Sequence, residues 1–271
     1  MTIAEAADAQ KIALEAELKE PITVDALTGD WKLLQRKHGH RYSTDDLLTA
    51  WYACACFPDR TPALDLGTGI GSVGLSYAWK FPRASVVGVE AQAISYRLLI
   101  ENVAVNGAGD RVTTIHGDLR EVPKGAYAAV PARHFAIVTG SPPYFDVKKG
   151  VMSEDSQKAH ARFELRGDVR DYCRAAAYAM RDDGRFVFCF PTPQIQRAID
   201  ACSQHGLAIE RRRDVVPKDG ISPLFSLFAC RKDAAQAGVT ETYEAPLVVR
   251  DAAGQRTEEM QEIRVYLGMP K

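Results

Sequence analysis

The run Asp65-Leu66-Gly67-Thr68-Gly69-Ile70-Gly71-Ser72-Val73-Gly74 sets four glycines between a short apolar stretch and a helical pattern. Glycine at such a junction lets the chain take left-handed backbone angles and lets a ligand touch the main chain. About twenty residues on, Glu90 closes the next apolar stretch, where one carboxylate can accept from both hydroxyls of a ribose. Asp118 and Leu119 close a third, placed to meet an adenine ring. Gly69, Gly71 and Gly74 also satisfy the dinucleotide fingerprint, in which the same acid would serve NAD. The loop alone therefore leaves three readings: NAD, an adenosine-based methyl donor, or a tight turn with no ligand. Its position after about 60 residues of chain favours the methyl donor, because NAD domains tend to open a chain.

A second constellation, Ser141-Pro142-Pro143-Tyr144-Phe145, ends a fourth apolar stretch about 75 residues after the loop. In isolation it reads as a turn. Behind a glycine loop and an acid-terminated strand it resembles the motif of the class I amino-methyltransferases, in which Asn, Asp or Ser precedes two prolines and an aromatic residue. The resemblance implies S-adenosylmethionine as cofactor and a planar amine as acceptor. Such a nitrogen shares its lone pair with the adjoining π system and attacks a methyl sulfonium poorly. Two acceptors on its hydrogens, the Ser141 side chain and the Pro142 carbonyl, favour a pyramidal nitrogen and aim its lone pair. Pro142 and Pro143 stiffen the loop and remove competing N–H donors. Tyr144 offers a face on which a flipped-out base could stack.

These residues need a frame that brings strand ends together. Short β-rich runs at 62–67, 84–90, 111–118, 134–140 and 185–191 alternate with helical patterns at 71–80, 92–106, 168–181 and 193–204. That alternation predicts an α/β fold: a doubly wound, Rossmann-like, mostly parallel sheet with ligands at the carboxyl ends of its strands. The runs 207–216 and 224–232, parted by PKDGISP, predict an antiparallel hairpin on the sheet edge. Ahead of the sheet, 1–20 reads as a helix or frayed tail and 22–42 as a hairpin turning at Thr28-Gly29-Asp30. Residues 44–57 read as a helix, begun by Ser43 and Asp46 at capping-box spacing and stopped by Pro58. The expected organisation is a small N-terminal extension and cofactor lid over 1–60, then the methyltransferase domain over 61–271.

Composition limits the partners. Lys and Arg number 34 against 35 Asp and Glu, so any contact with nucleic acid must come from a local patch. Lys32, Arg36, Lys37 and Arg41 crowd one acid-free segment, and Lys148, Lys149, Lys158, Arg162, Arg166 and Arg170 follow the proline motif. Both clusters flank the expected site, which leaves an RNA contact and a merely solvated face both open. The six cysteines form no C-x-x-C pair and the six histidines show no ligand spacing, so no metal is expected. The first twenty residues carry acids, and no run nears the ~18 apolar residues of a membrane span. A cytoplasmic protein with no membrane partner is the expectation.

The likeness extends beyond the core. QRKHGHRYSTDDLLTAWYA (35–53), the glycine loop with SPPYF, KAHARFE (158–164) and PLVVRDAAGQRTEEM (246–260) together resemble one family. It is that of the tRNA (adenine-N6) methyltransferases acting beside the anticodon of a valine tRNA. This resemblance implies that Asp65, Gly67, Thr68, Gly69, Gly71, Glu90, Asp118 and Leu119 line the cofactor. It also implies that Tyr42, Thr44 and Asp45 close over the methionine end, although Thr44 and Asp45 would equally serve as helix-capping residues. Ser141, Pro142, Pro143 and Tyr144 would hold the target, with Arg36, Lys37, Arg41, Phe145, Lys148, Lys149 and Arg162 toward tRNA. Two departures stand out: Ser141 where the family has Asn, and Phe163 where it more often has His. Ser is familiar in cytosine-N4 enzymes, and protein glutamine-N5 methyltransferases use a related Asn-Pro-Pro-Tyr motif. Both stay open as alternatives.

Overall fold

The computed structural model describes residues 2–143, 167–232 and 241–270. Thr2 opens helix α1 (Ile3–Leu18) through a capping box with Glu5. A hairpin of β1 (Ile22–Thr28) and β2 (Trp31–Arg36) follows. Helix α2 (Thr44–Cys56) starts where the Asp46 carboxylate accepts the Ser43 N–H at 3.2 Å, and it ends before Pro58. Strands and helices then alternate: β3 (Ala63–Leu66), α3 (Ser72–Lys80), β4 (Val86–Glu90), α4 (Ala93–Val105), β5 (Val112–His116) and β6 (Phe135–Gly140). After them come α5 (Val169–Ala179), β7 (Met180–Pro191), α6 (Ile195–Gln204), β8 (Leu207–Val216), β9 (Phe225–Lys232), β10 (Thr242–Val248) and α7 (Glu258–Tyr266).

Eight strands form one sheet in the order β10-β8-β9-β7-β6-β3-β4-β5. β3 pairs in parallel with β4 on one side and β6 on the other, so the strand order reverses at β3. At such a switch point the connections part to opposite faces and leave a crevice beyond the strand ends. β9 runs antiparallel to both β7 and β8, whereas β10 runs parallel to β8. The sequence therefore marks the β8–β9 hairpin correctly, but β10 lies outside it and forms the edge. Helix α5 ends at Ala179 and β7 begins at once, with a register slip in its pairing to β6 that takes up Asp182-Asp183-Gly184.

Alternation along the central strands splits the core into two layers. On β7, Val187 and Cys189 join the layer built from α1 to α4, the hairpin and α7. Phe186, Phe188 and Phe190 join the layer under α5 and α6, where Phe188 stacks on Phe228 at 4.8 Å. The thiols of Cys173, Cys202 and Cys230 meet in that second layer, at 3.8 and 3.6 Å, as free buried cysteines.

The N-terminal hairpin is fastened to the sheet layer by two amides. Asn102 of α4 accepts the Leu34 N–H at 2.7 Å and donates to the carbonyls of Leu34 and Ile70 at 3.1 and 2.9 Å. One helical turn on, Asn106 accepts from Lys32 N–H and donates to the Lys32 carbonyl, both at 2.8 Å. Side-chain amides thus stand in for a neighbouring strand on the free edge of β2. The C-terminal segment adds a second clasp. The Thr28 hydroxyl donates to the Leu267 carbonyl, and Lys80 donates to the Tyr266 carbonyl at 2.8 Å while resting over its ring.

Candidate functional site

At the switch point the chain turns from β3 into α3 through Gly67, Gly69 and Gly71, whose φ values are +61°, +59° and +96°. Those angles strain any residue with a Cβ, so the spacing of these glycines follows from the turn itself. Asp65, at the end of β3, is buried and holds the turn in shape. One carboxylate oxygen accepts from the Thr68 hydroxyl at 2.5 Å and the Gly74 N–H at 3.1 Å; the other accepts from the Thr139 hydroxyl at 2.7 Å. Burial pushes this carboxyl above the usual range, against the pull of those three donors. Glu90, at the end of β4, accepts the Gly69 N–H at 2.9 Å and the Gln92 N–H at 2.7 Å, one on each oxygen.

A cavity opens above these strand ends, walled by Asp65, Gly67, Thr68, Gly69, Glu90 and Leu119, all anticipated from the sequence. Asp118 is placed differently from the expectation. Its neighbours Gly117 and Leu119 line the cavity, but its own carboxylate is gripped by the Arg120 guanidinium at 2.5–3.0 Å and caps the short helix at Leu119–Lys124. Gly71 serves as the N-cap of α3. Asp46, Gln92, Ser95 and Tyr172 also line the cavity, and the sequence motifs had pointed to none of them.

A second cavity adjoins the first. It is lined by Lys37, His38, Arg41, Thr44 and Asp45 on one side and by Pro142, Cys189, Phe190, Pro191, Leu224 and Phe225 on the other. His40, Tyr42, Asp46 and Ser141 border both spaces. Of the two adjacent acids at the start of α2, Asp46 faces the glycine-loop cavity, whereas Asp45 and Thr44 face the outer one. Asp45 accepts the Ser43 hydroxyl. Burial raises the Asp46 carboxyl well above the ordinary range, and the negative charges of Asp45 and Asp65 push the same way, opposed by bonds from Ser43 and Ser72.

Ser141 stands at the junction of the two cavities, where β6 ends. The Cys189 thiol donates to its oxygen at 3.6 Å. Burial, with Asp45 nearby, pushes that thiol up to about 12, so it stays protonated and a donor. One lone pair of Ser141 Oγ is thereby occupied and the other is left to accept from a ligand. Pro143 lines the inner cavity and Pro142 the outer. Tyr144, Phe145, Lys148, Lys149 and Arg162 lie outside the described residues, as does the 158–164 run.

Two of the basic residues read from the sequence are committed to the fold. Arg36 donates to Glu20 at 2.6 Å with its side chain only 14% exposed. Arg41 donates to Asp25 at 3.0 Å and to the Thr23 hydroxyl at 2.9 Å. Burial opposes it, but bonds from Thr23, Gln35 and Arg41 together hold the Asp25 carboxyl below its ordinary value. Lys37 is exposed at the rim of the outer cavity. Among the described residues no group of three His, Cys, Asp or Glu side chains could hold a metal, and no helix is long and apolar enough to cross a membrane.

No family model matches the chain. Individual relatives do. A tRNA1(Val) (adenine(37)-N6)-methyltransferase from Vibrio campbellii is 25% identical over 84% of this chain and 89% of its own length. One of the same name from a Flavobacteriaceae bacterium is 24% identical over 84% of this chain and 94% of its own. Among solved structures, an Agrobacterium tumefaciens protein described as a predicted O-methyltransferase superposes with a TM-score of 0.63. It is 19% identical and covers 84% of this chain and 98% of its own. Pyrococcus horikoshii TYW2 in complex with MeSAdo superposes with a TM-score of 0.51 at 13% identity, covering 79% and 72%. Along most of its length the chain is therefore similar to the tRNA1(Val) (adenine(37)-N6)-methyltransferases, and it is built on the class I methyltransferase fold.

Proposed function

We propose that this protein is an S-adenosylmethionine-dependent N-methyltransferase acting on the exocyclic N6 amine of an adenine in tRNA. One observation carries the choice of cofactor. The glycine-loop cavity presents three carboxylates, Asp46, Asp65 and Glu90, and no lysine or arginine among its described lining. A dinucleotide brings a doubly anionic pyrophosphate, for which this lining offers no cationic side chain. A methyl donor bearing a sulfonium and an α-ammonium suits it, and the relatives' activity requires one.

The residues divide the work as follows. Gly67 and Gly69 let the ligand lie against the backbone, while Asp65 keeps the loop in the shape that allows this. Glu90 faces the ribose. Asp46, between the cavities, supplies negative charge toward the methionine end, with Tyr42 beside it. Bound S-adenosylmethionine supplies an electrophilic methyl group. Ser141 and the Pro142 carbonyl then accept the hydrogens of the target amine and hold its lone pair toward that methyl. The outer cavity, apolar along Phe190, Pro191, Leu224 and Phe225, takes a planar base better than a charged group. The organisation proposed is a lid formed by the N-terminal segment over a methyltransferase domain, with tRNA approaching past Lys37.

Mass spectrometry of tRNA nucleosides from cells with and without the gene tests this directly. Loss of N6-methyladenosine from one tRNA supports it. Unchanged tRNA, with loss of a methylated cytosine or of a methylated glutamine in a protein, would move the assignment to the corresponding alternative.

A further inference from the structure

Tyr172 lies on the buried face of α5 and is 5% exposed. Its ring crosses the carboxyl ends of two strands. A Cβ built on Gly140 would come within 2.8 Å of the ring at Cδ1, and one built on Gly67 would overlap the hydroxyl oxygen. The side chain therefore occupies space that two glycines leave open, at the floor of the glycine-loop cavity. The hydroxyl makes no hydrogen bond among the described residues, and it opens on the cavity rather than on the core. A phenol whose hydroxyl faces a cavity rather than a protein partner contributes that oxygen to nothing in the fold, and phenylalanine would fill the same space.

The surroundings say what the oxygen can do. Burial, then the nearby charges of Glu90 and Asp65, push the phenol far above its usual range, so it stays protonated. The carboxylates around it only accept hydrogen bonds when ionised, whereas the phenol donates as well as accepts. The phenol and Glu90 line the same cavity, and a ligand hydroxyl between them can give one hydrogen to Glu90 and receive another from Tyr172.

We propose that the Tyr172 hydroxyl bonds a ribose hydroxyl of the adenosyl cofactor and, with Glu90, forms a two-residue grip on the sugar. This rests on the reading of the cavity as the methyl-donor site. The test uses the full chain, Tyr172→Phe, and calorimetry with S-adenosylhomocysteine and its 2′-deoxy and 3′-deoxy analogues. The expected result is about tenfold weaker binding of S-adenosylhomocysteine by the variant. That penalty should vanish with whichever analogue lacks the bonded hydroxyl. The unliganded variant should melt at or above the wild-type temperature. In turnover, KM for S-adenosylmethionine should rise while kcat changes less than about twofold. Equal binding by variant and wild type overturns the contact, and so does a penalty retained with both analogues. A variant that melts lower and loses all three ligands equally assigns the hydroxyl to the fold and overturns it too. Wild-type protein that binds no S-adenosylhomocysteine overturns the cofactor reading and this contact with it.

Discussion

Asp46 illustrates how much a single carboxylate can carry. In the sequence it is a helix-capping acid; in the structure it also borders both cavities. Its titratable neighbours are Asp45, Asp65 and Tyr42, and its carboxyl is raised. In the ligand-free protein a raised carboxyl contributes stability that is complete below its ordinary value and is lost as pH climbs through the raised one. The α-ammonium of bound S-adenosylhomocysteine, set toward Asp46, favours the ionised form, so binding should expel a proton. Affinity for S-adenosylhomocysteine should then rise with pH, by up to about tenfold per unit below the raised value, and flatten above it. Asp46→Asn should weaken binding and remove the slope. Calorimetric titrations between about pH 5 and pH 8 check this, and a flat wild-type profile would count against it. Ser141 acts later, on the target amine. Ser141→Ala should slow single-turnover methyl transfer by roughly 10–100-fold while leaving cofactor affinity nearly unchanged, a split that quench-flow and calorimetry resolve together. The glycines, Asp65 and Glu90 were legible because ligand-loop chemistry restricts residue type. Asp46 and Tyr172 were not, because on amphipathic helices an acid near the start reads as a cap and a tyrosine as core.

Elements that alternate strongly were easy to place, and β3 to β9 all fall within a few residues of their apolar runs. β10 was missed because an edge strand buries little: of Thr242–Val248 only Leu247 is fully buried, and Pro246 breaks its short apolar run. α7 was missed for the same reason, with Met260 and Ile263 as its buried residues in a charged stretch. The docking of β2 on α4 could not be read at all, since it depends on two asparagines one helical turn apart meeting a strand about 70 residues away. Asn102→Ala should leave the Leu34 N–H and the Leu34 and Ile70 carbonyls unpaired, costing roughly 2–4 kcal/mol. Denaturant unfolding measures that loss. Cofactor affinity should fall as well, because Ile70 belongs to the glycine loop.

At the scale of the whole molecule, near-zero net charge means that RNA affinity must come from few residues. Arg36 and Arg41 are spent inside the N-terminal segment, so the exposed Lys37 is the better candidate for a phosphate. Lys37→Ala should reduce the dependence of log affinity for tRNA on log salt by ~0.7–0.9 and leave the melting temperature alone. Arg36→Ala should do the reverse, lowering stability with little change in slope; salt titrations beside thermal melts separate the two. The clasp of chain ends has an optical consequence. All three tryptophans, Trp31, Trp51 and Trp79, belong to the layer of α1 to α4, and Trp79 lies between Gly29 of the hairpin and Gly268 near the C-terminus. Indole emission therefore reports the parting of that one layer from the sheet, whereas the layer of α5 and α6 carries tyrosines such as Tyr172 and Tyr178 but no tryptophan.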